Sequence, residues 1–292
     1  MTSPPRHDLF GRVAPALFVL LWSTGFIGSK LGLPYAEPLT FLLLRFAFVL
    51  LLLVPAAIVL RSRWPATPVQ AGHLAVAGVL LHGGYLGGVF SAIYHGMPAG
   101  IVSLIVGVQP LLTAAAAGTF LGERVTPQQW LGLGLGLVGV ALTVSDKTAW
   151  ATPTPAGAAA AALALLSITA GTLYQKRHGA AAGLAPSSVI QFAAAGVVLL
   201  PLALLTERME VRWTAQFIFA LGWLVLVLSL GAISLLYLLL RWGEAARVTT
   251  LFYATPPTTA VMAWYLFGER LGALAWAGMA LVAAAIWLAM RR

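Results

Sequence analysis

An apolar run, broken near its start by proline and closed by Gly-Glu-Arg, occurs twice in this chain. Gly107 to Arg124 reads GVQPLLTAAAAGTFLGER, and Tyr253 to Arg270 reads YATPPTTAVMAWYLFGER. Pro110 answers to Pro256 at an offset of 256 − 110 = 146, half of the 292 residues. The same register runs without gaps through Gly25/Gly171, Lys30/Lys176, Phe46/Phe192, Pro55/Pro201, Trp130/Trp276 and Gly132/Gly278. Single matches are cheap in Leu/Ala-rich sequence. An unbroken register through Lys, Pro, Trp and Gly-Glu-Arg is the mark of a duplication. Whatever residues 1–146 fold into, residues 147–292 must fold into as well.

The solvent of that fold is lipid. Hydrophobic residues make up 60% of the chain and charged ones 9%, against roughly 45–50% and about 25% in ordinary soluble domains. Helices of about 20 apolar residues match a bilayer core of ~30 Å. The apolar runs are too long and continuous for the alternation of a membrane barrel. Ten spans follow, at roughly 13–30, 38–60, 71–93, 99–120, 129–145, 156–175, 186–206, 215–239, 246–267 and 272–290. The first reads as a retained helix rather than a signal peptide, because it lacks a clear small-residue cleavage site and belongs to the repeat. The expected fold is all-α integral membrane, with ten transmembrane helices as two five-helix repeats.

Charge sets the orientation. Outside the spans, one set of alternate loops collects eleven Lys and Arg and the other five, which puts both termini in the cytoplasm. The net charge of +9 then reports loop placement and implies no nucleic-acid partner. Each half has an odd number of spans, so the second inserts upside down relative to the first. Inverted repeats are a signature of secondary transporters, whose halves exchange conformations to face either side.

The residues also resemble a known family. Leu20 to Leu33 (LLWSTGFIGSKLGL), Pro38 to Leu53 with Arg45 inside it, and Ala99 to Leu142 resemble the first, second, fourth and fifth helices of EamA-type members of the drug/metabolite transporter superfamily. The second half follows less faithfully. It lacks the Trp, and Gln191 stands where the first half has Arg45. The resemblance covers nearly the whole chain, and its overall similarity points, among family members, to the bacterial aromatic amino-acid exporters. It implies a ten-helix exporter of the bacterial inner membrane with amino acids or similar metabolites as substrates. Multidrug or quaternary-amine export is the alternative within the family, and a membrane scaffold or receptor the alternative outside it. There is no Cys, no His-Glu-x-x-His and no metal-ligand spacing, so neither an enzyme nor a cofactor or metal is expected.

Several intramembrane residues carry candidate chemistry. His82 lies near the middle of the third span with Tyr85 three residues on, on one helix face. Ionisable groups at such depth are functional candidates, although a neighbouring helix can also satisfy a histidine. Pro110 and Pro256 are read as hinges or lining backbone, with a static kink as the alternative. Trp22, Tyr85, Tyr237 and Tyr253 are candidates for an aromatic wall, which would suit aromatic amino acids by stacking or cationic drugs by cation–π attraction. Ordinary helix packing accounts for most such rings taken singly. Ser23, Gln109 and Thr169 add uncharged polar groups. Arg45 either snorkels to the interface, binds a substrate carboxylate or pairs with a backbone carbonyl. Lys30 and Lys176 end their helices, where a cation suits the dipole. Gly-Glu-Arg is read first as a helix terminator and second as a gate latch. The glycines at 132, 134, 136 and 139 favour close packing within the monomer over a homodimer face. All eight Asp and Glu fall in tails or connectors, so an ion-coupling carboxylate at mid-membrane is not expected. If protons are coupled, His82 is the group to carry them.

Overall fold

In the computed structural model, the residues described are 9–121, 126–145, 154–178, 182–232, 235, 252 and 254–290. Among them regular structure is helical throughout, with a single isolated β-bridge between Ala36 and Val211. Six helices are long and apolar enough to cross a bilayer. They are α1 (Leu9–Gly32), α2 (Pro38–Val59), α3 (Pro68–Tyr94), α7 (Pro155–His178), α8 (Leu184–Thr206) and α9 (Ala215–Ala232). Shorter apolar helices stand between and after them: α4 (Ala99–Gly107), α5 (Gln109–Leu121), α6 (Pro127–Ser145), α10 (Thr255–Phe267) and α11 (Ala273–Met290). The C-terminal part of the expected eighth span, the start of the ninth and the first Gly-Glu-Arg lie outside the described residues.

Two features depart from ten simple spans, and each has a counterpart among the described residues at the 146-residue offset. The expected fourth span is two helices, α4 and α5, interrupted at Val108 (φ −77°, ψ −12°). Its counterpart Ala254, at 254 − 108 = 146, has φ −78°, ψ −12° and immediately precedes α10. Pro110 and Pro256 therefore do not kink the middle of a helix. Pro110 sits in the first turn after the break and Pro256 in the first turn of α10, where a missing N–H leaves no helical bond unmade. The second feature is a π-helical stretch inside α3 (Val79–Gly84) and another inside α9 (Trp223–Ala232), which overlap once 146 is added to the first. Such wide turns in α-helices are frequent at functional sites.

Packing follows the duplication. Helices α2 and α6 each lie against their own repeat counterparts α8 and α11, α4 packs on α10, the counterpart of α5, α1 packs on α9 and α3 on α7. Small residues set these crossings. A Cβ on Gly139 would come within 2.7 Å of the Gly278 carbonyl oxygen, and one on Gly278 within 2.3 Å of the Gly139 carbonyl oxygen. The glycine-rich sixth helix thus packs against α11 within the chain. A buried aromatic core links α2, α3 and α9 through Phe41, Phe90 and Phe217, with ring centroids 5.0–5.3 Å apart. Outside it, large apolar side chains such as Leu51, Val197 and Leu205 are exposed, the surface that lipid covers.

The connectors are joined in pairs. The Arg212 N–H donates to the Tyr35 carbonyl at 2.9 Å and the Arg208 N–H to Glu37 Oε2 at 2.7 Å. Glu207 caps the start of α2, accepting from the Leu39 and Thr40 N–H groups and the Thr40 hydroxyl at 2.7–2.8 Å. A carboxylate there also suits the positive end of the helix. Elsewhere the Gly183 N–H donates to the Arg63 carbonyl at 2.8 Å, and the Thr154 hydroxyl to the His95 carbonyl at 2.8 Å.

Candidate functional site: a cavity between the halves

A cavity of about 640 Å³ opens where the two halves meet. The break between α4 and α5 reaches it through Gly107 and Pro110, and the start of α10 reaches it through Thr255 and Pro256. Neither α6 nor α11 contributes to the wall, so these two helices pack on each other as outer supports.

Trp22 comes from α1. Its ring meets Phe252 edge-on at 5.0 Å and Phe18 at 5.4 Å, which fixes the indole at the cavity wall. His82 is carried by the π-helical stretch of α3. It stacks on Phe192 at 4.1 Å and lies with Nε2 3.2 Å from Gln191 Oε1. An amide oxygen only accepts, so Nε2–H is the donor. Tyr85 lines the wall one turn on, and Gln109 does so from α5 while donating to the Thr113 hydroxyl at 2.8 Å. The rest of the surface is largely apolar and aromatic.

Arg45 does not snorkel. It is 4% exposed, and its Nε and Nη2 donate to the Ser229 hydroxyl oxygen at 3.2 and 3.0 Å. Ser229 belongs to the π-helical stretch of α9 and donates its own proton to the Leu224 carbonyl at 3.0 Å. The arrangement is doubled: α2 reaches the wide turn of α9 through Arg45, and α8 reaches the wide turn of α3 through Gln191. Arg45 and Gln191 are themselves repeat partners, 191 − 45 = 146.

Two expected site residues lie elsewhere. Ser23 is fully buried off the cavity wall, its hydroxyl 3.4 Å from the Thr255 carbonyl. Thr169 returns its hydroxyl to the Leu165 carbonyl at 2.7 Å, and its neighbours Ile168 and Thr172 take the wall positions. Tyr237 and Tyr253 lie outside the described residues. Lys30 is not a plain interface anchor. It pairs with Glu269, whose Oε1 also accepts from the Ala99 N–H at 3.0 Å. That contact ties the end of α1, the start of α4 and the end of α10. Gly268, just before it, is left-handed at φ 66° and terminates α10, with its N–H on the Trp264 carbonyl at 3.0 Å. The second Gly-Glu-Arg is thus a helix terminator and a fastening at once. Sequence reasoning had no signal for Ser229, Phe192 or Phe252 as wall or partner residues, although Ser229 is offset by 146 from Gly83, beside His82.

The EamA-like transporter family matches residues 9–145 and again 155–291, copies spaced by 155 − 9 = 146. The chain belongs to the EamA-like transporter family. Its relatives include the uncharacterized transporter YvbV of Bacillus subtilis (strain 168), 29% identical over 94% of this chain and 89% of that one. The uncharacterized inner membrane transporter YedA of Escherichia coli (strain K12) is 27% identical over 96% and 90%. A probable amino-acid metabolite efflux pump of Salmonella typhimurium is 34% identical over 40% of this chain and 37% of the pump. A solved crystal structure at 18% identity covers 95% of each chain with a TM-score of 0.64, a likeness of fold. This EamA-like transporter is accordingly a multi-pass membrane protein that handles a small molecule.

Proposed function

We propose that the chain exports small amphipathic metabolites, foremost amino acids with an apolar or aromatic side chain, across the bacterial inner membrane by alternating access. The observation that carries this reading is the cavity between the halves, walled by the break between α4 and α5 and, at the matching repeat position, by the start of α10. Broken helices facing a central cavity are how secondary transporters present substrate groups to polar backbone at membrane depth. The aromatic wall suits an apolar side chain, and the amide, imidazole and phenol groups suit a polar end. The efflux pump among the relatives supports the direction and the substrate class.

The inverted arrangement draws support from the connector contacts, and the Lys and Arg count of the connectors puts both termini in the cytoplasm. Each joined pair, 35 with 212, 63 with 183 and 95 with 154, unites connectors that ten alternating spans put on one face of the membrane. On that topology Lys30, Glu269 and Ala99 close the outer face, and opening it requires the ion pair to part. A quaternary-amine exporter is the weaker reading, because no Asp or Glu is among the described residues lining the cavity. The test is uptake of labelled amino acids and quaternary amines by purified protein in liposomes, with His82→Ala and Tyr85→Ala in the same assay. Amino-acid uptake that falls at least tenfold in either variant is expected. Undiminished uptake in both removes these residues from the site, and no uptake of any substrate in the panel refutes the proposal.

A further inference from the structure

We infer that Arg45 and Ser229 form a carboxylate subsite, that the cavity accepts organic monoanions lacking a free ammonium group, and that transport of such a cargo moves one negative charge per cycle. The inference rests on the carrier reading above and narrows it.

A guanidinium has five N–H donors. Two of those on Arg45 meet one neutral oxygen, that of Ser229, whose own proton is committed to Leu224. The group is buried at the cavity wall, and a buried charge without an opposite one is costly. Among the described residues no carboxylate answers it. The ion pair found there is Lys30 with Glu269, and no Asp or Glu lines the cavity. The ionisable residues in the wall are Arg45, His82, Tyr85 and Lys176. Of these, His82 and Tyr85 are close enough to Arg45 to interact with it electrostatically.

The duplication supplies a control within the molecule. At the repeat-related position Gln191 makes the matching contact with a wide turn, to His82, through a neutral amide. Joining α2 or α8 to the opposite half therefore needs a hydrogen-bonding side chain and no charge. The positive charge of Arg45 serves something outside the protein's own bonding, and a carboxylate is what a planar, forked donor fits best. A substrate ammonium finds no acidic partner among the described wall residues, so it is dispensable, and a substrate with a positive charge alone meets Arg45.

Charge movement follows. Over a complete cycle the protein's own charges return to their starting places, so the net charge moved is that of the cargo. A potential of 100 mV biases the distribution of a monoanion by roughly 50-fold. In a membrane that is negative inside, this bias drives an anion outward. Export then needs no coupling cation and no mid-membrane carboxylate to bind one.

The experiment uses three compounds sharing a phenyl side chain suited to the aromatic wall: N-acetylphenylalanine (monoanion), phenylalanine (zwitterion) and phenylalaninamide (cation). Binding to the purified full chain in detergent is read by tryptophan fluorescence. Flux is read in liposomes under a potassium–valinomycin potential, with protein-free liposomes as baseline. The monoanion is expected to bind at least as tightly as phenylalanine, and the amide at least tenfold more weakly. Arg45→Gln brings the acid and the amide within threefold of each other. Arg45→Lys keeps the charge and hence the preference, with weaker binding, and serves if the glutamine variant does not fold. An inside-positive potential of about 60 mV raises accumulation of the monoanion roughly tenfold and leaves phenylalanine unchanged. The carboxylate subsite is overturned, with the carrier reading intact, if the amide is bound and moved as well as the acid. The same follows if phenylalanine is carried but its N-acetyl derivative is not, or if a folded Arg45→Gln keeps the preference. Monoanion uptake that ignores voltage overturns the charge-moving step.

Discussion

Gly78→Ala is a perturbation whose size can be worked out from geometry. At Gly78 helix α3 crosses α8, and a Cβ built there would lie 2.3 Å from the Cα of Gln191 and 2.4 Å from its carbonyl oxygen. Carbon atoms in contact prefer about 3.5–4.0 Å. The helices must therefore separate by roughly 1.2 Å or more, and since the opposing atoms are backbone no rotamer change relieves the clash. Overpacking of this kind costs about 1–3 kcal/mol. Gly196→Ala on the same α8 is the matched control, because nothing lies within 4 Å of a Cβ there. Both substitutions gain the same helix propensity, about 1 kcal/mol, so their difference isolates the clash. The displaced residue is Gln191, whose amide sits 3.2 Å from His82; a shift of that size breaks the bond. Thermal unfolding in detergent, followed by tryptophan fluorescence, should give Gly78→Ala a lower midpoint than Gly196→Ala, and flux in liposomes should fall only in the former. Equal midpoints and equal flux would show that the close crossing of α3 and α8 does not hold the site.

Three further outcomes are expected. Ser23→Ala and Thr169→Ala remove hydroxyls that face backbone carbonyls off the cavity wall, so flux should stay within twofold of the parent; a tenfold loss in either would return that residue to the site. Glu207→Ala strips the cap from α2 and should cost about 0.5–2 kcal/mol of stability, seen as a lower unfolding midpoint; an unchanged midpoint would show the cap to be energetically idle. Single cysteines at Arg63 and Arg212, introduced into a chain with none of its own, should be labelled from opposite sides of the membrane by an impermeant maleimide; labelling from one side contradicts the inverted arrangement.

Much of the architecture is written in periodicity that lipid enforces. Long apolar runs have few ways to satisfy their backbone in a bilayer, and the 146-residue register carries each element of one half to the other. Trp22, His82, Tyr85 and Gln109 stood out because polar or amphipathic groups inside such runs need a reason, and all four line the cavity. Reading failed where a residue's setting depends on local helix geometry. Pro110 and Pro256 looked like mid-helix kinks because sequence does not reveal that α5 and α10 begin just before them. Ser229 is one hydroxyl in an apolar stretch, and only the wide turn of α9 brings it to Arg45. Ser23 and Thr169 looked available, but Thr169 turns its hydroxyl back to the Leu165 carbonyl, as hydroxyls in helices readily do, Ser23 faces the Thr255 carbonyl of another helix, and a small rotation of the helix decides between wall and packing face. Glu269 could be placed in a connector, while its partner Lys30, 239 residues away, is visible only once the halves are packed.

The central claim is that the two faces of this carrier open in turn, and the fastening between Lys30 and Glu269 is where it can be tested most directly. In the otherwise cysteine-free chain, Lys30→Cys with Glu269→Cys can be joined by reducible bifunctional reagents of graded length, and substrate flux measured in liposomes before and after reduction. Flux that stops on joining with the shortest reagent and returns on reduction, with each single variant unaffected, is the predicted result. Flux that continues while the two positions are held together would contradict alternating access through this face.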